Sequence, residues 1–168
     1  WDFYYTKKNK YSSLKFYYQH FFEDTSGLRF ANRLDGLWGF EYLDSLTGFN
    51  FLIEYLNTIN QDRDPPYVSE NYYNHGEYTL GWSYKGYVIG NPFISNINNN
   101  PSKVFHAGIS NNDLYNYKFK ILLSRRIDTS NALMYSISIG KVFENFTTSF
   151  YINGMNSENI GLRILYDM

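Results

Sequence analysis

A chain of 168 residues with a net charge of -1 and a pI near 6.3 has no surplus of Lys and Arg to neutralise phosphates, so nucleic acid is not expected as a partner. Cysteine is absent, which removes disulfide frameworks and thiolate metal sites, and no apolar run reaches the ~18 residues of a transmembrane helix. Aromatic residues make up 21%, with Tyr 18 and Phe 14, against a hydrophobic fraction of only 43%. Side chains with an apolar body and a polar tip suit surfaces that meet both oil and water. Composition alone fits an aromatic-rich soluble β-sandwich as well as a membrane β-barrel with aromatic girdles. The chain starts at Trp1 with neither a basic nor an apolar leader segment, and is expected to be a mature chain or an excerpt of a longer one.

Taken in order, Trp1, Phe3 and Tyr5 share one face before a turn at Lys8-Asn9-Lys10. Leu14, Phe16, Tyr18, His20 and Phe22 then alternate with Lys15, Tyr17, Gln19 and Phe21, a period of two that predicts a strand. Glu23 to Gly36 reads as a long polar connection. Leu37 to Asp44 and Phe49 to Asn57 form a predicted hairpin around Ser45-Leu46-Thr47-Gly48. Thr58 to Gly76 is the longest connection, and its Pro65-Pro66 pair cannot donate to a ladder, which puts it outside any sheet interior. Tyr78, Leu80, Trp82 and Tyr84 share a face, and the apolar phase switches after Gly86 to Tyr87 and Ile89. Lys85-Gly86 is therefore either a bulge in one strand or a two-residue hairpin turn.

Ile94 to Ser102 reads as an Asn-rich loop, and Val104 to Ser110 as a short strand ending in a turn at Asn111-Asn112-Asp113. Tyr115, Tyr117, Phe119, Ile121 and Leu123 then alternate with Asn116, Lys118, Lys120, Leu122 and Ser124. Met134 to Val142, Phe146 to Asn153 and Ile160 to Met168 repeat the pattern, with short turns at Glu144 and Asn156. The expected fold is all-β, an antiparallel meander of roughly ten or eleven strands and no helix. Strands of about 9–11 residues cross a bilayer obliquely, whereas sandwich strands run to about 5–6. This length, with apolar faces nearly free of charge, favours an outer-membrane β-barrel or a large part of one over a sandwich.

Two blocks resemble a known family. Tyr72-Tyr73-Asn74-His75-Gly76, Gly81-Trp82-Ser83-Tyr84-Lys85-Gly86 and Ile89-Gly90-Asn91-Pro92 make up one; the other is Phe21-Phe22-Glu23-Asp24-Thr25-Ser26-Gly27-Leu28 followed by Asp35-Gly36-Leu37-Trp38-Gly39. Both are similar to the C-terminal part of the capsule assembly Wzi family of Gram-negative outer-membrane β-barrels. The resemblance implies that residues 1–168 are a single barrel region of a longer wall, although closure as a smaller barrel is the alternative. It also implies a continuous strand through Lys85-Gly86. For function it implies a non-enzymatic lectin of the outer membrane that binds capsular or related surface polysaccharide and helps its assembly or attachment. Outer-membrane lipid and other envelope proteins would be its further partners. A pore, or a wall component of a secretion or uptake assembly, is the second expectation, and an outer-membrane enzyme acting on lipid or peptide the third.

The residues themselves point to chemistry of the same kind. Asp62, Arg63, Asp64, Tyr67, Tyr72, Tyr73, Asn74 and His75 form the densest group of flat rings and planar hydrogen-bonding groups, which is what pyranose faces and sugar hydroxyls require. The same tyrosines would also serve as interfacial girdle residues, with the charges solvating a loop. Lys118, Lys120, Arg163 and Asp167 are expected to line a wet lumen, either tuning a pore or pairing structurally. No catalytic motif, cofactor-binding loop or metal-ligand spacing stands out: His20, His75 and His106 are far apart, and Asp62 with Asp64 lacks the rest of a calcium loop.

Overall fold

The computed structural model describes residues 2–20, 33–59, 77, 83–84, 87–88, 91–95, 102–128, 132–155 and 158–166. The first four strands are β1 (Asp2–Lys8), β2 (Ser12–Gln19), β3 (Gly36–Asp44) and β4 (Phe49–Asn57). Three short ones follow, β5 (Ser83–Tyr84), β6 (Tyr87–Val88) and β7 (Asn91–Ser95). The remainder are β8 (Lys103–Leu114), β9 (Tyr117–Arg126), β10 (Leu133–Val142), β11 (Phe146–Gly154) and β12 (Glu158–Tyr166). The protein is all-β, with no helix among the described residues. Nine strands make one antiparallel meander in the order β1-β2-β3-β4-β8-β9-β10-β11-β12. The sheet is open, β1 and β12 being its two edges, and its form fits part of a barrel.

Alternation fixes which side chains share a face. One row of cross-strand partners runs Leu14, Tyr42, Phe51, Ile109, Ile121, Ile137, Ile152 and Ile160, apolar or aromatic at every step from β2 to β12. The neighbouring row on the other face runs Ser13, Leu43, Asn50, Ser110, Lys120, Ser138, Tyr151 and Gly161. Among the described residues the first face carries its charges at or beside strand ends, at Lys7, Asp44, Lys103, Arg125, Lys141 and Glu158. Between them lies a charge-free band that includes Phe16, Trp38, Ile53, Ile139, Phe150 and Leu162, all exposed.

The rows are also staggered. The apolar row begins in β1 at Lys7, next to the end that turns into β2, and reaches β12 at Ile160, close to that strand's opposite end. Such a progressive shift is the shear that closes a tilted sheet into a barrel. No second layer of structure lies over the apolar face among the described residues, of which only three are buried hydrophobics, Leu56, Phe93 and Val104. A sandwich of this length would bury far more.

Connections divide by length between the two ends of the strands. Tight turns β1–β2, β3–β4, β8–β9 and β10–β11 lie at one end, together with the C-terminal end of β12. At the other end lie residues 20–35, residues 58–102 and the shorter β9–β10 and β11–β12 links. The β3–β4 turn is held by Asp44, whose carboxylate accepts from the Leu46 N–H and the Thr47 hydroxyl at 2.9 Å each, and closes at Gly48 with φ of 71°.

Two sequence expectations are corrected. The turn after β8 is at Tyr115-Asn116, with φ of 53° and 64°, rather than at Asn111-Asn112-Asp113. Both residues take the left-handed conformation of a two-residue type I′ turn, whose twist matches the flanking strands. β8 instead runs on through a bulge between Asn111 and Leu114. Asn111 is fully buried, and its side-chain amide donates to the Thr47 carbonyl at 2.6 Å, tying down the adjacent β3–β4 turn. The second correction concerns strand count: Ser83–Tyr84 and Tyr87–Val88 are not part of the nine-stranded wall. They pair antiparallel with Tyr84 opposite Tyr87, as a hairpin would, and with β7 form a separate three-stranded sheet inside the β4–β8 connection.

Candidate functional site

The end of the sheet that carries the long connections is where polar chemistry concentrates. Thr58 and Ser102, the two stems of the β4–β8 connection, are joined by Ser102 N–H donating to the Thr58 hydroxyl at 2.8 Å and Thr58 N–H donating to the Ser102 carbonyl at 3.0 Å. Asp128 accepts from the Lys103 N–H at 3.0 Å and from Arg126 Nε at 2.6 Å, so the start of β8 is pinned to the end of β9. Arg126 also donates through Nη1 to the Phe93 carbonyl at 3.0 Å. Its guanidinium thus spans from the wall to the small sheet.

Polar-face positions turn apolar at this level. Leu37, Leu56 and Val104 are register partners, and Phe93 of β7 is buried against them, with Ala132, Met134 and Met155 packed alongside. The β4–β8 connection therefore returns over the polar face and seats one aromatic side chain there. On the apolar side of the same rim, the Tyr18 hydroxyl lies within hydrogen-bond reach of the carbonyls of Arg33 at 2.7 Å and Asp35 at 2.8 Å and of His20 Nδ1 at 2.8 Å. Asn57 donates to the Leu34 carbonyl at 3.0 Å. These contacts fasten the second long connection to the same rim, with Asp35 fully buried beneath it.

Farther along the polar face, the two halves of the sheet differ in charge. On β2–β4, acids and bases accompany one another: Lys15 lies 4.0 Å from Glu41, and the Tyr17 hydroxyl donates to Glu54. The Tyr17 ring lies flat over Gly39, where any side chain would occupy its place. Next to these, His106 Nδ1 is hydrogen-bonded to the Ser124 hydroxyl. On β9–β12 the polar face carries, besides the buried Arg126 paired with Asp128 at the rim, the exposed Lys118, Lys120 and Arg163, and no carboxylate within the strands among the described residues. Arg163 stands over the Tyr151 ring at 5.9 Å from its centroid.

The opposite, apolar face carries a shallow groove of about 570 Å³ between β1 and β4, lined by Phe3, Phe16, Tyr18, Trp38 and Ile53. Tyr18 stacks on Trp38 with ring centroids 4.1 Å apart. At the tight-turn end Lys141 lies over the rings of Tyr117 and Phe143, at 5.6 and 5.3 Å. A cation placed so keeps its stem on apolar surface and its head in water.

Asp62, Arg63, Asp64, Tyr67, Tyr72, Tyr73, Asn74 and His75 lie outside the described residues, as does Asp167. The chain holding the first eight leaves and rejoins the wall at the Thr58–Ser102 clamp. Sequence reasoning missed Phe93, Arg126 and Asp128, which organise that rim. The only available signal was Arg126 and Asp128 bracketing Ile127 at the end of a strand. No three His, Asp or Glu side chains gather as metal ligands among the described residues. No protein family matches the chain, nor does any curated protein or solved structure.

Proposed function

We propose that this chain is the wall of an outer-membrane β-barrel, or a large part of one, in a Gram-negative bacterium. In this reading it is non-enzymatic and holds capsular or related surface polysaccharide at the end bearing the long connections. The observation that carries the membrane reading is the charge-free band of the apolar face, continuous across a single staggered sheet and covered by no other layer among the described residues. Exposed apolar surface on that scale, in a folded protein, has lipid as its natural solvent. Its end charges and stacked rings fit the two interfaces, and tight turns at one end with long connections at the other fit periplasmic and external sides. Holding polysaccharide is supported by the resemblance of the two sequence blocks to the Wzi family and by the Tyr-, Asn- and Asp-rich composition of residues 62–75.

The test is binding of capsular and lipopolysaccharide fractions from the native envelope to the full-length, detergent-folded protein. Saturable binding that falls when Tyr72 and Tyr73 are replaced by Ala supports the role. Absence of binding by protein verified as folded passes the lead to a second reading, a pore or a wall component of a secretion or uptake assembly. The unbalanced cations Lys118, Lys120 and Arg163 favour that alternative. It predicts a conductance whose ion selectivity shifts on charge reversal at Lys118 and Lys120.

A further inference from the structure

The polar face of β9–β12 has the makings of a ligand trough. Lys118 is in register with Gly140, which is in register with Ser149, which faces Arg163. Lys120 heads the adjacent row, followed by Ser138, Tyr151 and Gly161. Cations thus stand on the two sides, and between them lie only hydroxyl groups, hydrogens and one tyrosine. At strand spacings of about 4.8 Å, the sides are separated by roughly 14 Å at the backbone. Lys and Arg side chains can lean inward over most of that gap.

The floor is kept low by necessity. A side chain at Gly140 would meet the Ser149 hydroxyl at 2.7 Å and the Thr148 carbonyl at 2.8 Å. Gly161 lies beneath the Tyr151 ring, whose place any side chain would take. Arg163 rests over that same ring, which braces the guanidinium at the edge of the trough. Of the four cations on the polar face of these strands Arg126 is paired with Asp128 at the rim, and among the described residues no acid on that face accompanies Lys118, Lys120 and Arg163. The contrast with β2–β4, where Lys15 stands beside Glu41 and Tyr17 bonds Glu54, makes the imbalance local rather than a general excess.

We propose that this trough binds an acidic oligosaccharide segment, its carboxylates taken by Lys118, Lys120 and Arg163 and its hydroxyls by Ser138 and Ser149. The inference rests on the barrel-wall reading and adds, toward the tight-turn end of the polar face, a site for an anionic, hydroxyl-rich chain. A sugar chain with carboxylates on successive residues can engage both sides at once while its hydroxyls lie along the floor between them. Ser138 and Ser149 can donate to and accept from sugar hydroxyls, whereas a bare polyphosphate could use them only as donors.

The experiment is titration of the full-length protein in detergent, at low ionic strength, with three probes: oligogalacturonate, a maltooligosaccharide of equal length, and tripolyphosphate. Oligogalacturonate is expected to bind best, and its affinity to fall about tenfold in K118Q/K120Q, each exposed charge pair being a modest contribution. It should fall again in R163Q and in raised salt. K141Q, on the opposite face, should match wild type, which separates the trough from general charge attraction. Equal binding of the maltooligosaccharide, stronger binding of tripolyphosphate, or unchanged affinity in K118Q/K120Q overturns the inference and leaves the wall reading standing. Failure of the wild-type protein to insert into lipid vesicles overturns both.

Discussion

Ile137 offers the sharpest test of the membrane-facing assignment. It is the middle of β10, in register with Ile121 and Ile152, and only 36% exposed, so its neighbours on the apolar face surround it on both sides. If that face meets lipid, Ile137→Arg places a cation near the bilayer midplane, at a cost of about 2–4 kcal/mol. Leu133→Arg, on the same face of the same strand but at its first residue, sits at the level of Arg125 and costs about 0–1 kcal/mol. Ser138→Arg, one residue along on the polar face, meets water and is expected to be near neutral. Equilibrium unfolding of the full-length protein from lipid vesicles in denaturant, followed by Trp fluorescence, reads all three. The ordering Ile137 well above Leu133, with Ser138 lowest, is specific to a slab of hydrocarbon. Equal costs at Ile137 and Leu133, as a protein layer covering the whole face would give, or a larger cost at Ser138 than at Ile137, refutes the assignment.

Three further outcomes follow from the geometry. Arg126→Ala removes the bridge between Asp128 and the Phe93 carbonyl and leaves a carboxylate that is largely shielded from water. Stability should fall by about 2–4 kcal/mol, with cleavage by limited proteolysis appearing first in the β4–β8 connection. Gly39→Val drives the Tyr17 ring off its glycine and breaks its bond to Glu54. A loss of about 1–3 kcal/mol is expected, and it should shrink markedly in the double variant with Tyr17→Ala, measured as a cycle. Gly48→Ala forces a side chain into a turn with φ of 71°, costing about 1 kcal/mol, seen as a lower unfolding midpoint at unchanged m-value.

Strict alternation from Tyr117 to Leu123, and again in β10 to β12, made the meander legible, because a period of two leaves no other regular reading. Turn chemistry was less dependable. Asn111-Asn112-Asp113 has the composition of a turn, yet Asn111 spends its amide on the neighbouring Thr47 carbonyl, and the reversal falls on Tyr115-Asn116. The switch of phase at Lys85-Gly86 was visible, but periodicity says nothing about which sheet a strand joins, so the separation of β5–β7 from the wall was not. The same limit hid the rim: Phe93, Leu56 and Val104 meet across long stretches of chain, and their burial depends on how the β4–β8 connection folds back. Lys118, Lys120 and Arg163 could be assigned to one polar face from alternation alone. Their isolation from acids could not, since it depends on which strands are neighbours.

The joint between β4 and β8 sets the order of folding. Every other wall pairing links strands consecutive in the chain, so hairpins can form locally and zip outward from either half. Joining β4 to β8 instead requires residues 58–102 to close on themselves, about 1 kcal/mol costlier in chain entropy than closing residues 20–35. Two sub-sheets, β1–β4 and β8–β12, should therefore form first and dock second, held by the β4–β8 ladder with the Thr58–Ser102 clamp at its end. Lengthening the connection would slow that docking only slightly, because the entropy grows with the logarithm of length. Thr58→Val deletes the hydroxyl that accepts from the Ser102 N–H but keeps the Thr58 N–H bond to the Ser102 carbonyl, and should speed the reversal of docking by loosening that end of the ladder.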